Sequence, residues 1–261
     1  MNAGTSPKRL RLPPDTTSEQ ASPGALAPRQ LKVGGVTPFT ATDYPGRLAA
    51  VVFVQGCSWR CGYCHNPHLQ PRTRAGRIAW GDVMRFLERR VGLIDAVVFS
   101  GGEPTSDPAL PHAIRGARTL GFKIGLHSAG MHLPRFERVL PMLDWVGFDV
   151  KAPFAAYEGV TKVRGSGEPA RRSLEALLAS GVDYECRTTA HPSLLGEDAL
   201  LKLAGALARM GVQRYVLQMF RRHGCLDAAL TATATATAGY PSERCLDEIS
   251  ALFTHFTVRR A

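Results

Sequence analysis

The sequence has no apolar run close to the about 20 residues that a membrane-spanning helix needs. Its first residues lack the apolar segment of a secretory signal, so we expect a soluble, cytoplasmic protein. Cysteine is scarce, with six residues, and without a secretory route these thiols are not expected to form disulfides. No G-x-G-x-x-G motif follows a strand-like segment, which argues against dinucleotide binding.

Acidic residues are the minority among the charged ones. The chain has 22 Asp and Glu against 32 Lys and Arg, a net charge of +10. Such an excess suits a solvated basic surface, an acidic partner protein, an anionic cofactor or loose contact with nucleic acid. No nucleic-acid-binding motif accompanies the charge, so nucleic-acid binding is not expected as the function.

Two segments lack the apolar periodicity of a folded core. Residues 1–30 are rich in Pro, Ser, Thr and Ala and are predicted to be a disordered leader. Residues 231–239 contain four Thr-Ala repeats before Gly239 and are predicted to be a loop. The chain from residue 31 to 261 is predicted to form one domain around this loop.

Between these segments, short β-branched runs alternate with helical patterns, which predicts an α/β fold with a parallel sheet. The pattern alone does not separate a partly closed barrel from an open doubly wound sheet. The last predicted helix covers about 241–256 and buries Cys245, and Asp107-Pro108 and Gly121 are predicted to bound another helix. The predicted strands are residues 48–54, 96–100, 123–127, 145–150, 184–189 and 215–219, and the predicted helical faces carry Trp80, Val83, Met84, Leu87 and Val91, and Leu200, Leu203, Leu207 and Met210.

The most informative segment is the loop after the first predicted strand, where Cys57, Cys61 and Cys64 are spaced C-x3-C-x2-C. Thiolates this close together select zinc or an iron-sulfur cluster. A structural zinc site needs a fourth ligand, for which His65 is available, whereas three cysteines on a cubane leave one iron open to a small molecule. Three buried thiols, or one disulfide with a free thiol, are the non-metal alternatives.

Polar residues follow several of the other predicted strands. In Ser100-Gly101-Gly102-Glu103-Pro104 the glycines let a ligand approach the backbone, and Glu103 supplies a carboxylate. On this hypothesis Gly102→Val blocks ligand binding without loss of the metal. Asp149 and Lys151 lie on one strand face and could pair with each other or with a ligand. Ser128, Arg187 and Gln218 are further candidates near strand ends.

The cysteine loop, with Tyr63 directly before the third cysteine, resembles that of the radical S-adenosylmethionine enzymes. The resemblance implies a partial (β/α)6 TIM-type barrel with its site at the carboxyl ends of the strands. It also implies a 4Fe-4S cluster held by the three cysteines and S-adenosylmethionine bound at the open iron, with no side chain acting as acid or base. The implied cofactor contacts are Tyr63, Gly101, Gly102, Glu103, Ser128, Asp149, Lys151, Arg187 and Gln218.

Within this superfamily the chain most closely resembles glycyl-radical activating enzymes, in particular those of anaerobic ribonucleoside-triphosphate reductases. Many relatives have Asp-Thr-Asn-Gly where this chain has His127-Ser128-Ala129-Gly130, a departure that removes a carboxylate and with it support for a cation site. The implied partners are that reductase and an electron donor, flavodoxin or ferredoxin. The rival hypotheses are a radical S-adenosylmethionine enzyme acting on a small molecule, such as a modified purine precursor, and a non-catalytic metal-binding module. The similarity rests on residues 43–46, 64–67, 126–130, 149–153 and 215–218.

Overall fold

The computed structural model describes residues 30–233 and 239–260, which contain one eight-stranded sheet. In chain order the strands are β1 (Val33–Thr40), β2 (Ala49–Val54), β3 (Ala96–Gly101), β4 (Lys123–Ser128), β5 (Trp145–Asp149), β6 (Asp183–Ala190), β7 (Arg214–Met219) and β8 (His255–Arg259). Each strand lies next to its neighbours in sequence. The pair β1 and β2 is antiparallel, and every later pair is parallel.

Helices follow the parallel strands, and their apolar faces pack against the sheet in the main hydrophobic core. They are α1 (Trp80–Glu88), α2 (Leu110–Thr119), α3 (Leu133–Val139), α4 (Tyr157–Thr161), α5 (Gly167–Ser180), α6 (Glu197–Arg209), α7 (Ala228–Thr233) and α8 (Glu243–Ser250). Gly121 adopts φ +90° directly after α2, a left-handed conformation that ends the helix as predicted. No helix in the described part of the chain is long and apolar enough to cross a membrane.

The six predicted strands are present as β2 to β7, and the family fold expected from the resemblance, a partial barrel, is confirmed. The antiparallel β1 was not predicted, because Gly34, Gly35 and Pro38 interrupt its β-branched pattern. The other unpredicted strand, β8, extends the parallel sheet by one strand beyond β7.

The prediction of a final helix over 241–256 is wrong in its second half. Helix α8 ends at Ser250, and Phe256 lies on β8, where its ring stacks on Tyr215 with centroids 5.9 Å apart. The spacing of Leu252 and Phe256 fits a helix, but Leu252 is exposed. Buried Cys245 and Ile249 are confirmed as core residues of this helix.

Two smaller predictions also need correction. Val91 lies beyond the end of α1 and is exposed, so it does not extend the buried face formed by Trp80, Val83 and Leu87. The predicted loop over 231–239 begins as helix, because Thr231–Thr233 is the last part of α7. Residues 234–238 of that loop lie outside the described residues, as do residues 1–29 of the predicted leader.

The inward-facing side chains of the sheet form two layers, one at the amino ends of the strands and one nearer their carboxyl ends. At the amino ends a second, smaller core, here called the floor, is formed by Tyr44, Ala49, Val51, Ala96, Val98 and Trp145. Successive side chains of a strand alternate between faces, so the next inward residues lie closer to the carboxyl ends. Among them Phe53, Ser100 and Asp149 line an open cavity above the floor.

Candidate functional site

The cavity at the carboxyl ends of the strands has a volume of about 430 Å³. Every residue that the sequence nominated as a metal ligand or cofactor contact lines it: Cys57, Cys61, Tyr63, Cys64, Gly101, Gly102, Glu103, Ser128, Asp149, Lys151, Arg187 and Gln218. These residues span more than 160 positions of the chain, and the parallel strands bring them to one end of the sheet.

The cysteine loop begins directly after β2 and is held at its base by backbone hydrogen bonds. The N–H groups of Gly56 and Cys57 donate to the carbonyls of Leu69 and Gln70 at 2.8 and 3.0 Å. Within the loop, the Cys64 N–H donates to the Cys61 carbonyl at 3.0 Å. The first and last cysteines are therefore placed by backbone contacts, which leaves their side chains free to face the cavity.

The three loop thiols are half-buried and form no disulfide. Burial raises the pKa of Cys57 to about 12 and also raises the pKa of Cys61. The protein alone thus favours the protonated forms of Cys57 and Cys61, and a bound cationic metal centre would stabilise their thiolates. This donor set, three free thiols on one loop at the cavity wall, fits an iron-sulfur cluster.

No three His, Cys, Asp or Glu side chains within residues 30–233 and 239–260 are arranged to hold a single metal ion. The proposed fourth zinc ligand, His65, is engaged elsewhere. Its Nε2 lies 3.0 Å from the carbonyl oxygen of Arg221, and its ring stacks on Phe220 with centroids 5.8 Å apart.

The Gly-Gly-Glu segment after β3 is paired with the start of the cysteine loop. Gly102 N–H donates to the Val54 carbonyl at 2.9 Å, and Glu103 N–H donates to the Gly56 carbonyl at 2.8 Å. A Cβ atom at Gly102 would lie 2.6 Å from that Gly56 oxygen. The absence of a side chain at Gly102 therefore serves the packing of two backbones, whereas the sequence hypothesis assigned it to ligand approach.

Glu103 is almost fully buried, and most of its hydrogen-bonding capacity is used within the protein. Its Oε1 accepts from the Thr105 N–H, the Thr105 hydroxyl and the Ser128 hydroxyl, the last at 2.8 Å. Its Oε2 accepts from the Ala129 N–H at 2.9 Å. The carboxylate thus joins the ends of β3 and β4, and Oε2 is the atom with capacity left for a cationic ligand.

Asp149, Lys151 and Arg187 form a charged cluster on the cavity wall. Arg187 Nε donates to Asp149 Oδ1 at 2.8 Å, and Lys151 Nζ lies 3.8 Å from Asp149 Oδ2. Burial raises the pKa of Asp149, but the charges of Arg187 and Lys151 outweigh this effect and lower it below its ordinary value. Lys151 Nζ also lies 5.4 Å from the ring centroid of Tyr63, in a cation-π contact.

His127 lies near the carboxyl end of β4 and is held in place by hydrogen bonds within the protein. Its Nε2 lies 2.9 Å from the Asp43 carbonyl, which can only accept, so Nε2 carries the proton. Its Nδ1 then accepts from the Ser100 hydroxyl at 3.1 Å. Burial and the charge of Arg187 lower the pKa of His127, which keeps the ring neutral.

Several residues of the cavity wall were not predicted from the sequence. Met131 follows β4, and its sulfur accepts from the hydroxyls of Ser58 and Ser106 at 3.5 and 3.7 Å. Arg221 follows β7 and also lines the cavity. Both lie within four residues of the end of a predicted strand, and this position was the available signal.

A largely parallel sheet with three free thiols on the loop after β2 and charged side chains around one open end is the arrangement of a class of cluster-dependent α/β enzymes. A profile of the Radical SAM superfamily matches residues 51–218, and the chain belongs to this superfamily. It is therefore an enzyme, and the expected cofactors, a 4Fe-4S cluster and S-adenosylmethionine, are those of its family.

Curated relatives include glycyl-radical activating enzymes. The chain is 29% identical over 205 residues to a Methanocaldococcus jannaschii protein provisionally named glycyl-radical enzyme activating enzyme, covering 75% of this chain and 82% of that protein. It is 32% identical over 114 residues to the pyruvate formate-lyase-activating enzyme of Clostridium pasteurianum, covering 42% of this chain and 48% of the relative.

Solved structures share the fold. Streptococcus suis SuiB bound to S-adenosylmethionine superposes with a TM-score of 0.57 at 14% identity, over 78% of this chain and 48% of SuiB. The chain thus spans about half the length of that structure, and the likeness concerns the fold alone.

Proposed function

We propose that the protein is a radical S-adenosylmethionine activase that places a glycyl radical on a partner enzyme, an anaerobic ribonucleoside-triphosphate reductase. The observation that carries this proposal is the meeting of the three free thiols and the charged cluster in one open cavity. The names of the relatives support the activase role. The reductase is proposed from the sequence resemblance.

In this proposal Cys57, Cys61 and Cys64 hold the cluster. With an electron from flavodoxin or ferredoxin, the bound cofactors supply homolytic cleavage of S-adenosylmethionine to methionine and a radical that takes a hydrogen atom from a glycine of the partner, giving 5′-deoxyadenosine and a glycyl radical. The Glu103 Oε2 atom and the backbone at Gly101 and Gly102 provide acceptors for the amino group of S-adenosylmethionine.

The remaining side chains orient the cofactor and keep it from water. Asp149, Lys151, Arg187 and Gln218 offer charged and polar contacts to its carboxylate and ribose from three adjoining segments of the sheet. Ser128 acts through Glu103, to which its hydroxyl donates. Tyr63 is buried beside Lys151 and supplies an apolar surface at the cluster loop.

We place this reaction in the cytoplasm, because all six cysteines are free and a reducing compartment preserves thiols and clusters of this type.

The test is anaerobic incubation of the reconstituted protein with a strong reductant, S-adenosylmethionine and the reductase. We expect 5′-deoxyadenosine by chromatography and a glycyl-radical doublet on the reductase by electron paramagnetic resonance, both absent with Cys61→Ala. Formation of 5′-deoxyadenosine with turnover of a metabolite, and no doublet on any glycyl-radical enzyme, would show that the substrate is a small molecule.

A further inference from the structure

A second cavity of about 490 Å³ lies next to the first and shares His65, Asn66 and Arg221 with it. We call it the outer groove. One wall is the segment after the third cysteine, with Pro67 and His68, and the other is the segment after β7, with His223 and Leu226. A chain that lies in the outer groove can therefore continue into the cavity that holds the reacting groups.

The two walls of the outer groove are fixed to each other. His65 Nε2 lies 3.0 Å from the Arg221 carbonyl, and the thiol of Cys225 donates to the Gly62 carbonyl at 3.4 Å. Gly224 adopts φ +86°, and a Cβ atom there would lie 2.5 Å from the His65 carbonyl oxygen. The segment after β7 thus rests on the backbone of the cysteine loop, which makes the groove a built feature of the surface.

The chemistry of the groove wall combines apolar surface with positive charge. Leu226 is 80% exposed, the highest exposure among the large hydrophobic side chains of the described residues. Arg221 and three histidines line the same groove, and none of the described residues that line it is acidic. A complementary occupant has an apolar side chain for Leu226 and a carboxylate for Arg221.

We propose that the outer groove docks an acidic and apolar segment of the partner protein next to the glycine that receives the radical. This inference rests on the proposed function and adds to it a surface and a chemical character for the partner segment. A polypeptide fits better than a small anion, because the groove is open, continues into the reaction cavity and carries an exposed leucine that a small anion would leave uncovered.

The test compares Leu226→Asp with Leu93→Asp in the reconstituted holoenzyme. Leu93 is 62% exposed and precedes β3, at the opposite end of the sheet from the groove. The measurements are binding of the anaerobic ribonucleotide reductase, formation of its glycyl radical, and 5′-deoxyadenosine formation without the reductase. For Leu226→Asp we expect about tenfold weaker binding and slower radical formation, with unchanged 5′-deoxyadenosine formation, while Leu93→Asp behaves as wild type.

The other outcomes overturn the docking proposal or the proposed function separately. Wild-type binding by Leu226→Asp, with normal radical transfer by the wild-type protein, would reject the groove and leave the activase function standing. If Leu226→Asp weakens binding but the wild-type complex forms no glycyl radical, the proposed function is rejected and the docking role of the outer groove stands. Four further outcomes would each reject the stated occupant. Two concern the reductase: the wild-type protein does not bind it at all, or inorganic phosphate displaces it. The other two concern Leu226→Asp: this variant alone loses 5′-deoxyadenosine formation, or it dissociates a dimer that the wild-type protein forms.

Discussion

Asp149 and Arg187 are opposite each other on β5 and β6, and the Arg187 Nε atom donates to Asp149 Oδ1 at 2.8 Å. The Arg187 side chain is 8% exposed, whereas that of Asp149 is 36% exposed and faces the cavity. The pair therefore holds a buried guanidinium in place from its solvent side, and Asp149 is already oriented before any ligand arrives.

We expect Asp149→Asn to lower the free energy of unfolding by about 2 kcal/mol, because it leaves the buried Arg187 guanidinium without its counter-charge. Urea denaturation of the protein without cofactors measures this effect. The control is Asp82→Asn, which removes an exposed ion pair with Arg85 and should cost under about 0.5 kcal/mol. Equal costs for the two variants would contradict a structural role for the Asp149 pair.

Asp144 should make stability depend on pH. Burial raises its pKa, but hydrogen bonds from the Ile124 N–H and Lys123, together with the charge of Arg118, outweigh this and lower the pKa below 3.8. A lowered folded-state pKa gives stability that is present above 3.8 and is lost as the pH falls through the folded value. We expect Asp144→Asn to reduce this loss of stability at low pH, as measured by urea denaturation at a series of pH values. An unchanged loss would show that other carboxylates cause it.

Gly102→Val should remove the cluster as well as cofactor binding. The new Cβ atom would meet the Gly56 carbonyl at 2.6 Å, and this carbonyl belongs to the base of the cysteine loop. The measurement is iron content after anaerobic reconstitution, with S-adenosylmethionine affinity measured in parallel. Full iron with lost affinity would restore the hypothesis made from the sequence, in which Gly102 faces only the ligand.

Replacement of Cys57, Cys61 or Cys64 by Ala should abolish the cluster absorbance and 5′-deoxyadenosine formation while the sheet stays folded. Cys245→Ala is the matched control, because Cys245 is buried in α8 away from the cavity. It should cost about 1 kcal/mol of stability and leave iron content unchanged. Retained iron in all three loop variants would overturn the ligand assignment.

The sequence was sufficient to place the six central strands and the end of the sheet that carries the site. Short β-branched runs mark β2 to β7, and each of these strands contributes cavity-lining residues from its carboxyl-terminal part or from the segment that follows it. The partners that these residues contact could not be predicted. Whether Glu103 meets a ligand or the protein depends on Ser128 and Ala129, which lie 25 and 26 positions later and approach only when β3 and β4 pair.

The outer groove could not be predicted from the sequence either. Arg221 and Leu226 resemble ordinary surface residues until the segment after β7 folds back onto His65. The edge strands β1 and β8 were not predicted. Glycine and proline interrupt the pattern of β1, and the helical spacing of apolar residues before β8 extends to Phe256 on that strand. In each case a contact between distant parts of the chain overrides the local pattern.

The floor beneath the cavity has a consequence for how this protein can change over evolutionary time. Tyr44 and Trp145 stack there with ring centroids 5.1 Å apart, and valines and alanines of β2 and β3 complete the packing. None of these floor residues lines the cavity, so the packing of the floor and the lining of the cavity are formed by different side chains. We therefore expect substitutions at the cavity mouth to leave the floor packing intact, so that the lining can vary over evolutionary time without rebuilding the scaffold.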